Sequence, residues 1–216
     1  MKQPSKDSRK IAWFKLSEFI DRGEKERALG IYKLLRHTIN NEAFAKQLEG
    51  DLLLFFNEES ATNAYESAAL LYEKDGNISH ATALYEHLTT QFPHKNRYLK
   101  KLVHLYTELN HPTRITLSLK RLIPHLIDAE QLSNINNALH TLEPILPYEN
   151  QTELYECVTF ELIEQQQEDD LVLEYIKKTI ETIQLAQHNT NLFIKKLGQH
   201  EPHYQKEAKK YLKGRS

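Results

Sequence analysis

Apolar residues recur along this chain at intervals of three and four, in stretches separated by short polar breaks, and the pattern is densest from Tyr65 to Pro93. Tyr65, Ala68, Ala69 and Tyr72 stand at i, i+3, i+4 and i+7, one stripe of an amphipathic helix. Asp75-Gly76-Asn77 interrupts the stripe, with Gly76 suited to the left-handed backbone that closes a helix and Asn77 able to cap the next. Ala81, Tyr85 and Leu88 resume it until Pro93 stops it after Phe92. Facing alanines let two helix backbones approach closely, and Tyr72 and Tyr85 fill the space at either end. The stretch predicts an antiparallel helix pair.

The same arrangement begins at Lys10. Ile11, Ala12, Leu16 and Phe19 form one stripe, Arg22-Gly23 the turn, and Ala28, Tyr32 and Leu35 the other stripe. Gly23, Ala28 and Tyr32 keep the mutual spacing of Gly76, Ala81 and Tyr85, which is an internal repeat. Trp13 is expected to pack within this amino-terminal pair. Asn40 and Asn41 cap a third helix, Glu42 to Phe56, bearing Phe44, Leu48, Leu52 and Phe55. Ala61 then follows Ala28 by 33 residues, so the helix from about Ser60 to Lys74 can close one pair and also open the next. The phase therefore slips by one helix, an irregular joint near residues 60–74.

Further on, Leu99, Leu102, Val103 and Tyr106, then Asn110-His111-Pro112, then Ile115, Leu119 and Leu122 give another pair, with Ile115 lying 34 residues after Ala81. Pro124 argues against a long continuation, and Asp128 is placed to start a helix through Leu142 carrying Leu132, Ile135 and Leu139. Pro144, Pro147 and Asn150 mark a hinge over 143–150. A last pair spans Thr152 to Gln166 and Asp169 to Ala186, with Tyr155, Leu162, Leu171, Tyr175 and Ile176 on its apolar faces. Two short basic helices follow His188-Asn189-Thr190.

Tyr72, Gly76, Ala81, Tyr85 and Pro93, echoed by Gly23, Ala28 and Tyr32, resemble the tetratricopeptide repeat (TPR) family, closely over residues 10–126 and loosely over 150–187. The resemblance implies an all-α, right-handed α-solenoid of antiparallel helix pairs whose concave groove binds a partner protein or peptide. Along the chain the expected layout is a disordered lead-in over 1–9, a helical repeat domain over 10–187, and basic capping helices over 188–216. The family's geometry assigns groove contacts to Arg97, Lys100, Lys101 and His104. Arg97 and Lys101 resemble part of the clamp with which one subclass grips a terminal carboxylate, although Trp13, Ser17, Glu66 and Leu70 stand where its other members would be.

Composition narrows the function further. The chain of 216 residues has only 6 Gly and 7 Pro and lacks the β-branched runs of strands, which fits an all-helical protein. No apolar run approaches the ~18 residues of a membrane span, and no apolar signal core follows the charged amino terminus. Cys157, the one cysteine, fits a reducing cytoplasm and sits among apolar residues as an inert thiol. Low Gly, abundant Asn, Gln and Lys, and a single Cys give a bacterial impression. No P-loop, nucleophile elbow, zincin or paired-cysteine motif is present, so the expectation is a protein that is not an enzyme and needs no cofactor. His80 and His87, seven apart on one face, are separated by about 10.5 Å of helical rise, too far to share a metal ion.

Net charge is −2, unevenly spread. Between Arg121 and Lys177 there is no Lys or Arg but a long series of acids, while the last residues carry Lys195, Lys196, Lys206, Lys209, Lys210, Lys213 and Arg215. These blocks either pair within the chain or serve outside partners. Two readings therefore stand beside the groove-binding scaffold: a nucleic-acid-associated protein using the basic end, and a self-associating structural protein joined by the two blocks.

Overall fold

The computed structural model describes residues 6–128 and 131–214, with side chains from Lys10 onward. Residues 1–5 of the expected lead-in, together with Glu130 of the acidic block and Arg215 of the basic end, lie outside the described residues; Lys6 to Arg9 open the first helix. Among the described residues there are twelve helices and no strand: α1 (Lys6–Asp21), α2 (Lys25–Arg36), α3 (Glu42–Phe55), α4 (Ala61–Lys74), α5 (Ile78–Gln91), α6 (Arg97–Glu108), α7 (Pro112–Asp128), α8 (Leu132–Leu142), α9 (Tyr148–Glu164), α10 (Asp169–Leu185), α11 (Asn191–His200) and α12 (Pro202–Lys213). The protein is all-α, and neighbouring helices pack on one another within each unit. The chain divides after Tyr98, in the first turn of α6, into two compact units.

One kind of turn recurs throughout. Gly23 and Gly76 adopt φ of +69° and +73°, and after Gly76 the Asn77 amide reaches the Tyr72 carbonyl at 2.8 Å while Gly76 reaches Glu73 at 2.9 Å. This is the left-handed cap that satisfies the last carbonyls of a helix. Asn57, Asn110, Gln166 and Gln187 repeat it with φ between 53° and 58°, and each is followed by the same pair of backbone bonds. Gly23 to Asn57 and Gly76 to Asn110 are both 34 residues apart. At the opposite ends, Asn41 caps α3 by accepting the Phe44 amide at 2.9 Å. Asn77, expected to cap α5, makes no side-chain cap bond.

In the first unit α1 packs on α2, α3 on α4 and α4 on α5, with α3 and α4 the most intimate pair. Ala28, Tyr32, Ala81, Tyr85 and Tyr72 are all buried, as their repeated spacing predicts, while Pro93 is exposed just beyond the end of α5. Leu16, Ala28, Tyr32, Leu35 and Leu52 form a core against which Ala12, Phe19 and Ile20 pack. Ile11 and Trp13 depart from expectation: both are exposed, because the α1 face that meets the core runs through 12, 16, 19 and 20. Helix α3 departs in the same way. It turns Ala43, Ala45, Gly50 and Leu52 inward and leaves Phe44 and Phe55 exposed, since an approach this close selects the smallest residues. A Cβ placed on Gly50 would stand 2.8 Å from the Tyr65 ring. On α5, His80 stacks on Tyr72 at 5.0 Å and His87 meets the edge of Tyr65 at 4.9 Å, so both histidines serve packing.

In the second unit α7 packs chiefly on α9, α9 on α10, and α10 and α11 on α12; α7 and α8 touch only slightly. Helix α7 runs through Pro124 to Asp128, four residues past the expected end. Proline removes the donor that would meet the carbonyl four residues earlier, which here is that of Lys120. The Cys157 thiol of α9 lies 3.9 Å from that carbonyl, and the Gln165 amide donates to the Pro124 carbonyl at 3.2 Å. The thiol thus stands where the missing proline donor would, and the glutamine ties the same turn to α9. The connection from α8 to α9 occupies the expected hinge; Gln151 fastens it by donating to the carbonyls of Glu143 and Leu146, both at 2.8 Å.

Buried tyrosines, and the half-buried Tyr211, deliver their hydroxyls to carboxylates nearer the surface. Tyr65 donates to Asp51 at 2.7 Å, Tyr155 to Glu143 at 2.5 Å, Tyr204 to Asp169 at 2.6 Å and Tyr211 to Glu181 at 2.6 Å. Part of the acidic block is therefore structural: its carboxylates accept what these rings donate.

Candidate functional site

Helix α6 buries Leu99, Leu102, Leu105 and Tyr106 and turns its other side to solvent. The four residues assigned to partner contact, Arg97, Lys100, Lys101 and His104, follow one another there at helical spacing. They differ in their surroundings. The Arg97 guanidinium bonds the Glu66 carboxylate and lies over the Tyr98 ring at 5.1 Å, while Tyr98 donates to the same carboxylate. Lys101 is half-buried and already engaged. His104 is exposed, its Nε2 3.1 Å from the Glu108 carboxylate one turn on. Lys100 is exposed and lines a cavity. The four thus form a stripe along one helix rather than a single converging pocket.

That cavity, about 330 Å³, lies within the second unit between α6, α7 and α8. Leu119, Leu122, Ile123 and Leu126 of α7 and Ile135 and Leu139 of α8 give it an aliphatic wall. Among the described residues Lys100 and Asn134 are its two strongly polar ones, and both are exposed, which places them at the rim. The α8 side of this site was not singled out from the sequence. The spacing of Ile135 and Leu139 predicts a helix with an apolar face but cannot say that the face borders a void. Because α7 gives its main contact to α9, α8 is left packed on it only lightly.

The two charged blocks meet at an ion pair, and other lysines of the second unit pair with the acidic block. Lys196 of α11 pairs with Glu156 of α9, Lys120 of α7 lies 3.2 Å from Glu153, and Lys178 lies 2.7 Å from Glu174. Helices α11 and α12 bury Phe193, Ile194, Leu197, Tyr204 and Ala208, so they are seated by apolar as well as polar contacts. Burial, reinforced by the charge of Glu161, pushes the Cys157 thiol up to about 11, which keeps it protonated at neutral pH. Among the described residues no group of three or more His, Cys, Asp or Glu could hold a metal ion. No described helix is long and apolar enough to cross a membrane. No protein-family model and no curated protein matches the chain.

Proposed function

We propose that this chain is a non-enzymatic interaction scaffold of the cytoplasm: a TPR-like, right-handed α-solenoid that binds a partner protein or peptide in its concave groove, with the exposed stripe of α6 among the contacts. The observation that carries the reading is the recurrence of one left-handed cap at intervals of 34 residues, from Gly23 to Asn57 and from Gly76 to Asn110. The buried pairs Ala28 with Tyr32, Ala61 with Tyr65 and Ala81 with Tyr85 support it, since each repeats the same small-then-aromatic close contact. A unit that cannot bury its apolar face alone and is stacked on copies of itself leaves one extended surface free for recognition. The seating of α11 and α12 on α9 and α10 supports their role as a cap over a nucleic-acid surface.

A photo-crosslinking residue at position 104 tests this in cells. The captured protein, once purified, should bind the wild-type chain and lose at least tenfold in affinity when Lys100→Glu and His104→Glu are combined, with the melting temperature unchanged. Capture that does not depend on position 104, or an affinity untouched by the double substitution, would refute the groove assignment.

A further inference from the structure

The aliphatic cavity of the second unit carries an inference that does not rest on the scaffold reading. Water finds few partners against such a wall, so a space of this kind favours apolar occupants. Its volume of about 330 Å³ falls in the size range of small-molecule sites, roughly 300–1,000 Å³. A cavity of about 150 Å³ holds benzene, so one leucine or phenylalanine from a partner would leave more than half of this one empty. An unbranched chain of about ten carbons fills it by the same proportion.

The rim sets the charge of the occupant. Lys100 presents an ammonium there. Asn134 uses one amide hydrogen on the Gln131 side chain, at 2.9 Å, and keeps its second to donate. From Leu99 to Asp128, the part of α6 and α7 that lies in the second unit, there are five Lys and Arg against two acids, Glu108 and Asp128. We propose that this cavity binds a free medium-chain monocarboxylic acid, the acyl chain lying among the leucines and isoleucines of α7 and α8 and the carboxylate resting at Lys100 and Asn134.

Titration calorimetry on the full chain, with decanoate, decanol and decylammonium each below its micelle concentration, decides the matter. Decanoate should bind one to one, and decylammonium at least tenfold more weakly. Affinity should climb about fourfold per methylene from hexanoate upward and level off once the cavity is full. Lys100→Glu, a change at an exposed position, should reverse the order of decanoate and decylammonium. Ala138→Phe, which fills the cavity from α8, should abolish decanoate binding at an unchanged melting temperature; if that variant does not fold, the charge reversal decides alone. Equal binding of the three probes, an affinity that rises without levelling, an unchanged preference in Lys100→Glu, or no saturable binding would each overturn the proposal. Partner capture through position 104 succeeds or fails independently of these titrations.

Discussion

Replacing glycine by alanine inside a helix ordinarily stabilises it, by about 1 kcal/mol, because alanine loses less backbone freedom on folding. Two glycines of the first unit test whether that rule survives tertiary contact. A Cβ added to Gly30, exposed in the middle of α2, would meet nothing within 4 Å, so Gly30→Ala should gain the full increment. At Gly50 the same methyl would lie 2.8 Å from the Tyr65 ring. That ring is held by its hydroxyl bond to Asp51, at 2.7 Å, and by the edge of His87 at 4.9 Å, so it has little room to swing away. Overpacking costs about 1–3 kcal/mol and outweighs the helical gain, leaving Gly50→Ala less stable by about 1 kcal/mol. Urea unfolding followed through Trp13, the single tryptophan of the chain and a member of the same unit, reads both variants. With a slope of about 2 kcal/mol per molar, the midpoints should move by about 0.5 M in opposite directions. Adding Tyr65→Leu removes the ring, and in that background Gly50→Ala should turn favourable. If Gly50→Ala stabilises as much as Gly30→Ala in the wild-type background, the close approach of α3 and α4 is wrong.

Two further expectations concern ionisation. With the Cys157 thiol pushed up to about 11, its alkylation by iodoacetamide at pH 8 should run roughly a hundredfold slower than that of a free cysteine; equal rates would refute the burial. Burial lifts Tyr32, Tyr175 and Tyr204 from the ordinary 10.0 to about 12, so the folded chain retains protons that the unfolded chain releases. Stability from these groups is complete below pH 10 and is lost as pH climbs toward 12, at about 1.4 kcal/mol per pH unit for each ring. A melting temperature that stays flat between pH 10 and 12 would contradict this.

What the sequence could disclose was local. Helix spacing, the glycine turns at Gly23 and Gly76 and the Asn41 cap are written in residues only a few positions apart, and the physics that reads them acts over the same distance. Gln166 and Gln187 take the same left-handed backbone without the residue type that announces it, so their turns were legible only as breaks. The inward face of α3 was misjudged because large residues draw attention, while the contact with α4 is made by Gly50 and alanines. Pro124 signals a stop within its own helix, and only the fold brings Cys157, more than thirty residues away, to the carbonyl that continuation leaves without its donor. The cavity at Lys100 was hidden for the same reason, since it depends on α7 choosing α9 over α8.

That choice has a consequence for how freely the cavity can vary. Asn110 and Gln166, the caps that open the turns after α6 and α9, are 56 residues apart, against 34 from Gly23 to Asn57 and from Gly76 to Asn110, an excess about the length of one helix with its connections. Helix α8 stands in sequence between two helices, α7 and α9, that pack on each other. The hollow it walls lies off that seam. Its lining can be redrawn by changes on α8 alone, leaving the seam between α7 and α9 as it was.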